Sequence, residues 1–88
     1  MAWTIEYLST AKRQLKKLDT KIATRIISFL GERIAKSGEP YALGSALVGE
    51  WSGYWHYRVG DYRIVCKIRD EALVVLVVKV AHRSDVYR

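Results

Sequence analysis

The chain has 88 residues, half of them apolar and 27% charged; this is the balance of a folded globule and excludes a disordered chain. That length makes one domain, residues 1–88, and leaves no room for a second hydrophobic core. A net charge of +6 and a pI near 9.7 favour a polyanion or an acidic protein as partner, with charge-aided solubility as the plainer alternative.

The first six residues, Met-Ala-Trp-Thr-Ile-Glu, lack the basic start and apolar run of a secretion signal, so a cytoplasmic protein with no membrane association is expected. Residues 3–7 read as a short strand, because Trp3, Ile5 and Tyr7 alternate with Thr4 and Glu6. Ser9 or Thr10 then suits the N-cap of a helix, whose apolar stripe is Leu8, Ala11, Leu15 and Leu18. Lys12, Arg13, Lys16 and Lys17 cover its other faces; they are candidate contacts to RNA backbone, or an ordinary solvated face. Asp19 or Thr20 caps a second helix, with Ile22, Ile26, Ile27, Leu30 and Ile34 at helical spacing. The two helices form a hairpin that lays its apolar faces on a sheet. Gly38 and Pro40 end it, the glycine by a left-handed cap and the proline by breaking the hydrogen-bond ladder. Residues 41–53, with Gly44, Gly49 and Gly53, read as a loop.

Two strand-like runs, residues 54–59 and 62–68, flank Gly60-Asp61, a two-residue hairpin signal. That loop sets Val59 against Tyr62, Arg58 against Arg63 and His56 against Val65. One face then carries Trp55, Tyr57, Val59, Tyr62, Ile64, Cys66 and Ile68 and belongs in the core. The other carries His56, Arg58, Arg63 and Lys67. Two arginines directly opposite one another repel and weaken the strand pair. An anion between them removes the repulsion, and guanidinium forks fit phosphate oxygens. The alternative is that both splay into solvent or pair with Asp61, Glu50 or Asp85. The lone Cys66 excludes an internal disulfide and a cysteine zinc cluster and reads as a buried, inert thiol. Asp70-Glu71 reads as the next turn. Residues 73–78 are apolar on both faces and predict a central strand; the longest apolar run, Ala72 to Val78, is far too short to span a bilayer as a helix. A two-residue turn would place Arg63 opposite Val78 and bring residues 81–88 beside the Gly60-Asp61 tip. The expected architecture is α+β, a strand, a helical hairpin and a three-stranded antiparallel meander (β-α-α-β-β-β), with the helices on one face.

Leu43-Gly44, Leu47-Val48-Gly49-Glu50-Trp51-Ser52-Gly53, Tyr57-Arg58-Val59-Gly60-Asp61-Tyr62-Arg63-Ile64 and the closing Val80-Ala81-His82-Arg83-Ser84-Asp85-Val86-Tyr87 resemble the RelE/ParE superfamily of bacterial toxin–antitoxin modules. The resemblance runs over nearly the whole chain and implies a RelE-like fold. In the RelE branch it implies a ribosome-dependent endoribonuclease that cuts mRNA in the A site, without a metal or cofactor, by attack of the 2′-hydroxyl on the neighbouring phosphate. In the ParE branch it implies a non-enzymatic inhibitor of DNA gyrase. Both branches imply a cognate antitoxin, RelB-like for the first, and the RelE branch adds the ribosome and mRNA as partners.

Carried over by resemblance, Arg63 matches the arginine that steadies charge at phosphorus. Arg83 matches the one beside the leaving 5′-oxygen, and Tyr87 the C-terminal tyrosine that orients or stacks on the substrate. His56 and Arg58 stand where lysines are usual. Cleavage of this kind needs a base for the 2′-hydroxyl, charge neutralisation at phosphorus and help for the departing oxygen. His56, with a reference pKa of about 6.5, suits the base; a polar surface histidine is the alternative. Arg58 keeps its charge and suits transition-state stabilisation. His82 is a spare candidate acid. Trp51 and Trp55 read as packing residues.

Overall fold

The computed structural model describes residues 3–85; Tyr87, one of the expected site residues, lies outside them. A five-stranded sheet of order β1-β5-β4-β3-β2 is built from β1 (Thr4–Tyr7), β2 (Ser45–Ala46), β3 (Trp55–Val59), β4 (Tyr62–Arg69) and β5 (Val74–His82). Two helices, α1 (Ser9–Lys16) and α2 (Thr20–Phe29), cover one face, and a π-helical turn (Leu30–Ala35) extends α2. The α+β class and the strand, helical hairpin and meander are as the sequence predicts. Two features enlarge the sheet: β1 pairs in parallel with β5, and the two residues of β2 add an outer strand within the segment expected to be all loop. Among the described residues no helix is long and apolar enough to cross a membrane.

The helix spacing translates directly into burial. Ala11 and Leu15 of α1, Ile26 of α2, and Leu30 and Ile34 of the π turn pack on Tyr57, Val59, Ile64, Cys66, Val75 and Val77 from the sheet. Ile27 is the exception: it is 49% exposed on the outer side of α2, as is Leu8 (42%) just before α1. Asp19 caps α2 by accepting a hydrogen bond from the Lys21 amide at 2.9 Å. The capping expected of Ser9 or Thr10 does not occur. Leu8 occupies the cap position, and the Thr10 hydroxyl instead donates to the Val78 carbonyl (3.3 Å). Gln14, one turn on, accepts from the Val80 amide (2.7 Å). The edge of β5 beyond the last β1 pair is thus closed by α1 side chains in place of a strand.

The hairpin β3–β4 has the predicted register: Val59↔Tyr62, Arg58↔Arg63 and His56↔Val65. The pairing of β4 with β5 does not. The turn between them takes in a 3₁₀ turn (Asp70–Ala72) and Leu73, which has a left-handed φ of 53°. A bulge then interrupts the ladder between Cys66↔Val77 and Val65↔Lys79. The longer turn and the extra residue together put Arg63 opposite Ala81 in place of Val78. The bulge has a packing cause. Continued alternation from Val75 and Val77 would drive Lys79 into the core, whereas one extra residue returns Val80 to it, 3% exposed, and turns Lys79 to the opposite face.

Candidate functional site

The face of the sheet away from the helices carries the residues of interest in cross-strand rows. Arg58, Arg63 and Ala81 form the row nearest the Gly60-Asp61 tip; Ser45, His56, Val65 and Lys79 form the next. Below them lies a small apolar cluster of Leu47 and Val65 with Trp51, Tyr54, Val78 and Ala81. Lys67 stands 5.1 Å over the Tyr54 ring, and Lys79 stands 5.4 Å over the Trp51 ring. This face is therefore a cationic surface interleaved with aromatics, a pattern that suits single-stranded nucleic acid.

Arg58 is exposed and Arg63 half-buried. Among the described residues neither guanidinium makes an ion pair, the two that occur being Lys36–Glu32 and Arg69–Glu71. Among the described residues the only side-chain hydrogen bond from either is a long one of 3.5 Å from Arg63 Nη1 to the Tyr62 carbonyl. Two directly opposed cations with no ion-pair partner among the described residues are an arrangement that suits an anion. Arg83 reaches the same end of the sheet, since its amide donates to the Asp61 carbonyl at 2.8 Å and ties the segment after β5 to the hairpin tip. The sequence expectation that residues after Val80 emerge beside this tip holds despite the altered register, for β5 runs on to His82 opposite Tyr62.

His56 sits one row below. Its Nε2 lies 2.7 Å from the Ser45 hydroxyl, while Nδ1 is buried with no hydrogen-bond partner among the described residues. Burial, then the charges of Arg63 and Arg58, hold its pKa below the ordinary 6.5. The ring is thus neutral near pH 7 and available to take a proton. Ser45 was not singled out in the sequence, because a two-residue strand has no periodicity to reveal it. Its placement depends on Gly44, whose φ is +77° and whose missing Cβ would collide with the His56 carbonyl oxygen and approach Trp55 Nε1 at 2.8 Å. Only glycine lets the chain come this close to β3. Trp55 Nε1 donates to the Leu43 carbonyl (2.8 Å), and the buried Tyr57 hydroxyl donates to the Pro40 carbonyl (2.6 Å), so two aromatic side chains of β3 anchor the loop that delivers Ser45.

Other candidates are placed elsewhere. His82 lies opposite Tyr62, packs edge-on against that ring at 5.6 Å and engages the Ser84 hydroxyl through Nδ1 (2.9 Å). It is on the helix-side alternation of β5, not in the arginine row, which removes it as the spare acid. Lys12, Arg13 and Lys16 on α1 and Lys17 at its C-terminal cap are exposed, and α1 packs on the other face of the sheet; the structure keeps them apart from the arginines. Cys66 is fully buried and burial pushes its thiol pKa well up, so it contributes packing only. Among the described residues no group of three or more His, Cys, Asp or Glu side chains gathers as metal ligands would.

Comparison with known proteins identifies the family and the fold. A sequence model of the ParE toxin of the type II toxin–antitoxin system parDE matches residues 5–87. Toxin RelG of Mycobacterium tuberculosis is 34% identical over 88 residues, which cover 100% of this chain and 99% of that toxin. A chain of the crystallised toxin–antitoxin complex RelBE2 from the same organism superposes with a TM-score of 0.86 and 31% identity, over 94% of this chain and 100% of that one. An arginine-substituted form of the Escherichia coli toxin RelE in the free state shares the fold, with a TM-score of 0.76 at 21% identity over 99% of this chain and 90% of that one.

Proposed function

The chain belongs to the RelE/ParE superfamily of type II toxin–antitoxin toxins, and from that premise we propose that it is an endoribonuclease that cuts mRNA on the ribosome. The observation that carries the reading is the opposed pair Arg58↔Arg63, without an acidic partner among the described residues, beside a neutral His56 on the same face.

The reaction is transfer of a phosphoryl group within the RNA. The 2′-oxygen forms a bond to phosphorus, the bond to the 5′-oxygen breaks, and the products are a 2′,3′-cyclic phosphate and a 5′-hydroxyl. His56 accepts the proton of the 2′-hydroxyl, through Nε2 once substrate replaces Ser45 or through the Ser45 hydroxyl as a relay. Arg58 and Arg63 face the phosphate and stabilise the extra negative charge that develops on its oxygens. Arg83 lies toward the departing 5′-oxygen; as a guanidinium it serves by charge, and the proton comes from solvent. These groups suffice without a metal or cofactor. Tyr87, outside the described residues, is proposed by resemblance to orient or stack on the substrate. Lys12, Arg13, Lys16 and Lys17 form a separate basic surface suited to ribosomal RNA backbone. A RelB-like antitoxin is the proposed protein partner, as in the RelBE complexes whose toxin chains share this fold, and the cytoplasm the proposed site of action.

Purified protein added to cell-free translation tests the proposal. It is expected to halt synthesis and leave mRNA cut within the A-site codon, with cleavage lowered at least about tenfold in Arg83→Ala, a usual cost of losing a transition-state contact. Intact mRNA together with inhibited supercoiling by purified gyrase would overturn it in favour of the ParE-type activity.

A further inference from the structure

Two arginines of the helix layer, Arg25 and Arg33, take no part in the assignments above. Arg25, Phe29 and Arg33 recur every fourth residue along α2 and the π turn and so form one stripe. Arg25 lies against the hairpin tip, with Nη1 within 3.2 Å of the position a Cβ on Gly60 would take. At the other end of the stripe, Phe29 and Arg33 meet Leu43, Gly44, Ser45, His56 and Arg58 around a cavity of about 340 Å³. The cavity opens at the edge of β3. There β2 pairs only with Trp55 and His56 and leaves residues 57–59 without a further strand among the described residues.

Three features of this cavity point to a ligand. First, Arg33 and Arg58 both line it, and neither makes an ion pair among the described residues; the neighbouring Glu32 is engaged by Lys36 at 3.3 Å. Second, beside Ser45 and His56 its remaining walls are the Phe29 ring, Leu43 and Gly44, and the ring gives a flat heterocycle a surface to stack on. Third, Arg33 is held on an i→i+5 turn, closed by the Lys36 amide on the Gly31 carbonyl (3.0 Å); insertions of this kind in α-helices recur at functional sites. The volume lies within the range of small-ligand pockets.

We infer that this cavity is a nucleotide subsite, in which Arg33 binds the RNA phosphate next to the scissile one while the base lies against Phe29. The inference rests on the nuclease reading and deepens it, because the cavity shares His56 and Arg58 with the proposed reaction centre. Arg58 then stands between two consecutive phosphates, and Arg33 is a substrate-positioning residue placed on the helix layer in place of the sheet. Two cations flanking a cavity repel a positively charged ligand and leave a neutral one without a partner for either fork, so an anionic strand is the occupant they select.

The test is steady-state cleavage of mRNA on purified translating ribosomes by the wild-type chain, Arg33→Ala and Arg33→Lys. Loss of one charge-assisted phosphate contact is expected to raise KM about tenfold or more in Arg33→Ala, with kcat changed less than about threefold and partial recovery in Arg33→Lys. Arg33 is exposed, so an unchanged melting temperature accompanies the effect. A methylphosphonate at the phosphate next to the cut is expected to raise KM for wild type and to add little to Arg33→Ala, the signature of a shared contact. Independently, a 2′-O-methyl trinucleotide added to the isolated chain should shift the NMR amide signals of Phe29, Gly44 and Ser45. Wild-type cleavage with an unaltered KM in Arg33→Ala overturns the subsite and leaves the nuclease reading standing. No cleavage by wild type overturns both. Weakened capture of an acidic antitoxin peptide by Arg33→Ala, with KM for RNA unchanged, would reassign the cavity to protein binding.

Discussion

Arg58→Gln is expected to make the protein more stable and less active at once. Arg58 and Arg63 are directly opposed across β3 and β4, where the Cβ atoms of a cross-strand pair lie about 4.5–5.5 Å apart and like charges cost roughly 0.2–1 kcal/mol. Arg58 is exposed, so solvent screening places the relief in the lower part of that range, about 0.2–0.5 kcal/mol. In a domain of this size that amounts to a rise of roughly 1–4 °C in melting temperature. The gain should be read by thermal unfolding at low ionic strength and should fade in about 0.5 M salt, where the Debye length falls below the separation of the two charges. Cleavage in translating extracts should meanwhile fall about 10²–10³-fold, the usual loss when a preorganised transition-state donor is removed. A variant that melts below wild type at low salt, or that cleaves as well as wild type, would refute the claim that folding stability was traded for an anion site.

Three further outcomes follow from the packing and titration of the site. Cleavage should decline on acidification as His56 takes up a proton below pH 6.5, its pKa being held down by burial and by Arg63 and Arg58. The same protonation costs stability, because the folded state prefers the neutral ring and the unfolded state does not. Wild type should therefore lose stability from about pH 6.5 downward through the folded pKa, and His56→Gln should lack that portion of the loss in denaturant titrations. Tyr57→Phe leaves the Pro40 carbonyl without its buried donor, and urea unfolding should show a loss of about 1–3 kcal/mol. Gly44→Ala, at φ +77° against the β3 backbone, should destabilise by more than about 1 kcal/mol and separate Ser45 from His56, seen as a changed His56 ring NMR signal and reduced cleavage.

The sheet hairpin was legible because its turn is two residues long and its flanking runs alternate strictly. Gly60-Asp61 permits one register, and that register alone brings Arg58, Arg63 and His56 to one face. The β4–β5 pairing was not legible for the opposite reason. A strand apolar on both faces carries no alternation from which to read register, and Leu73 is not a residue that announces a left-handed turn. The bulge at Val78 is a tertiary compromise over Lys79, visible only when the partner strand is in place. Ser45 and Arg33 escaped notice because nothing local marks them. One lies on a two-residue strand set by Gly44, and the other is an exposed arginine on the turn that extends α2, given meaning only by the β3 residues beside it. The α1 cap was not legible because the helix begins at Ser9 with Leu8 at the cap position, which leaves Thr10 inside it to donate to the Val78 carbonyl of β5.

Chemical analysis of the mRNA ends left by the protein in a translating extract tests the central claim most directly. Activation of the 2′-hydroxyl by His56 against a phosphate gripped by Arg58 and Arg63 predicts a 5′-hydroxyl on the downstream fragment and a 2′,3′-cyclic phosphate on the upstream one. A 5′-phosphate with a 3′-hydroxyl would mean that water, not the ribose, was the nucleophile, and would contradict the account.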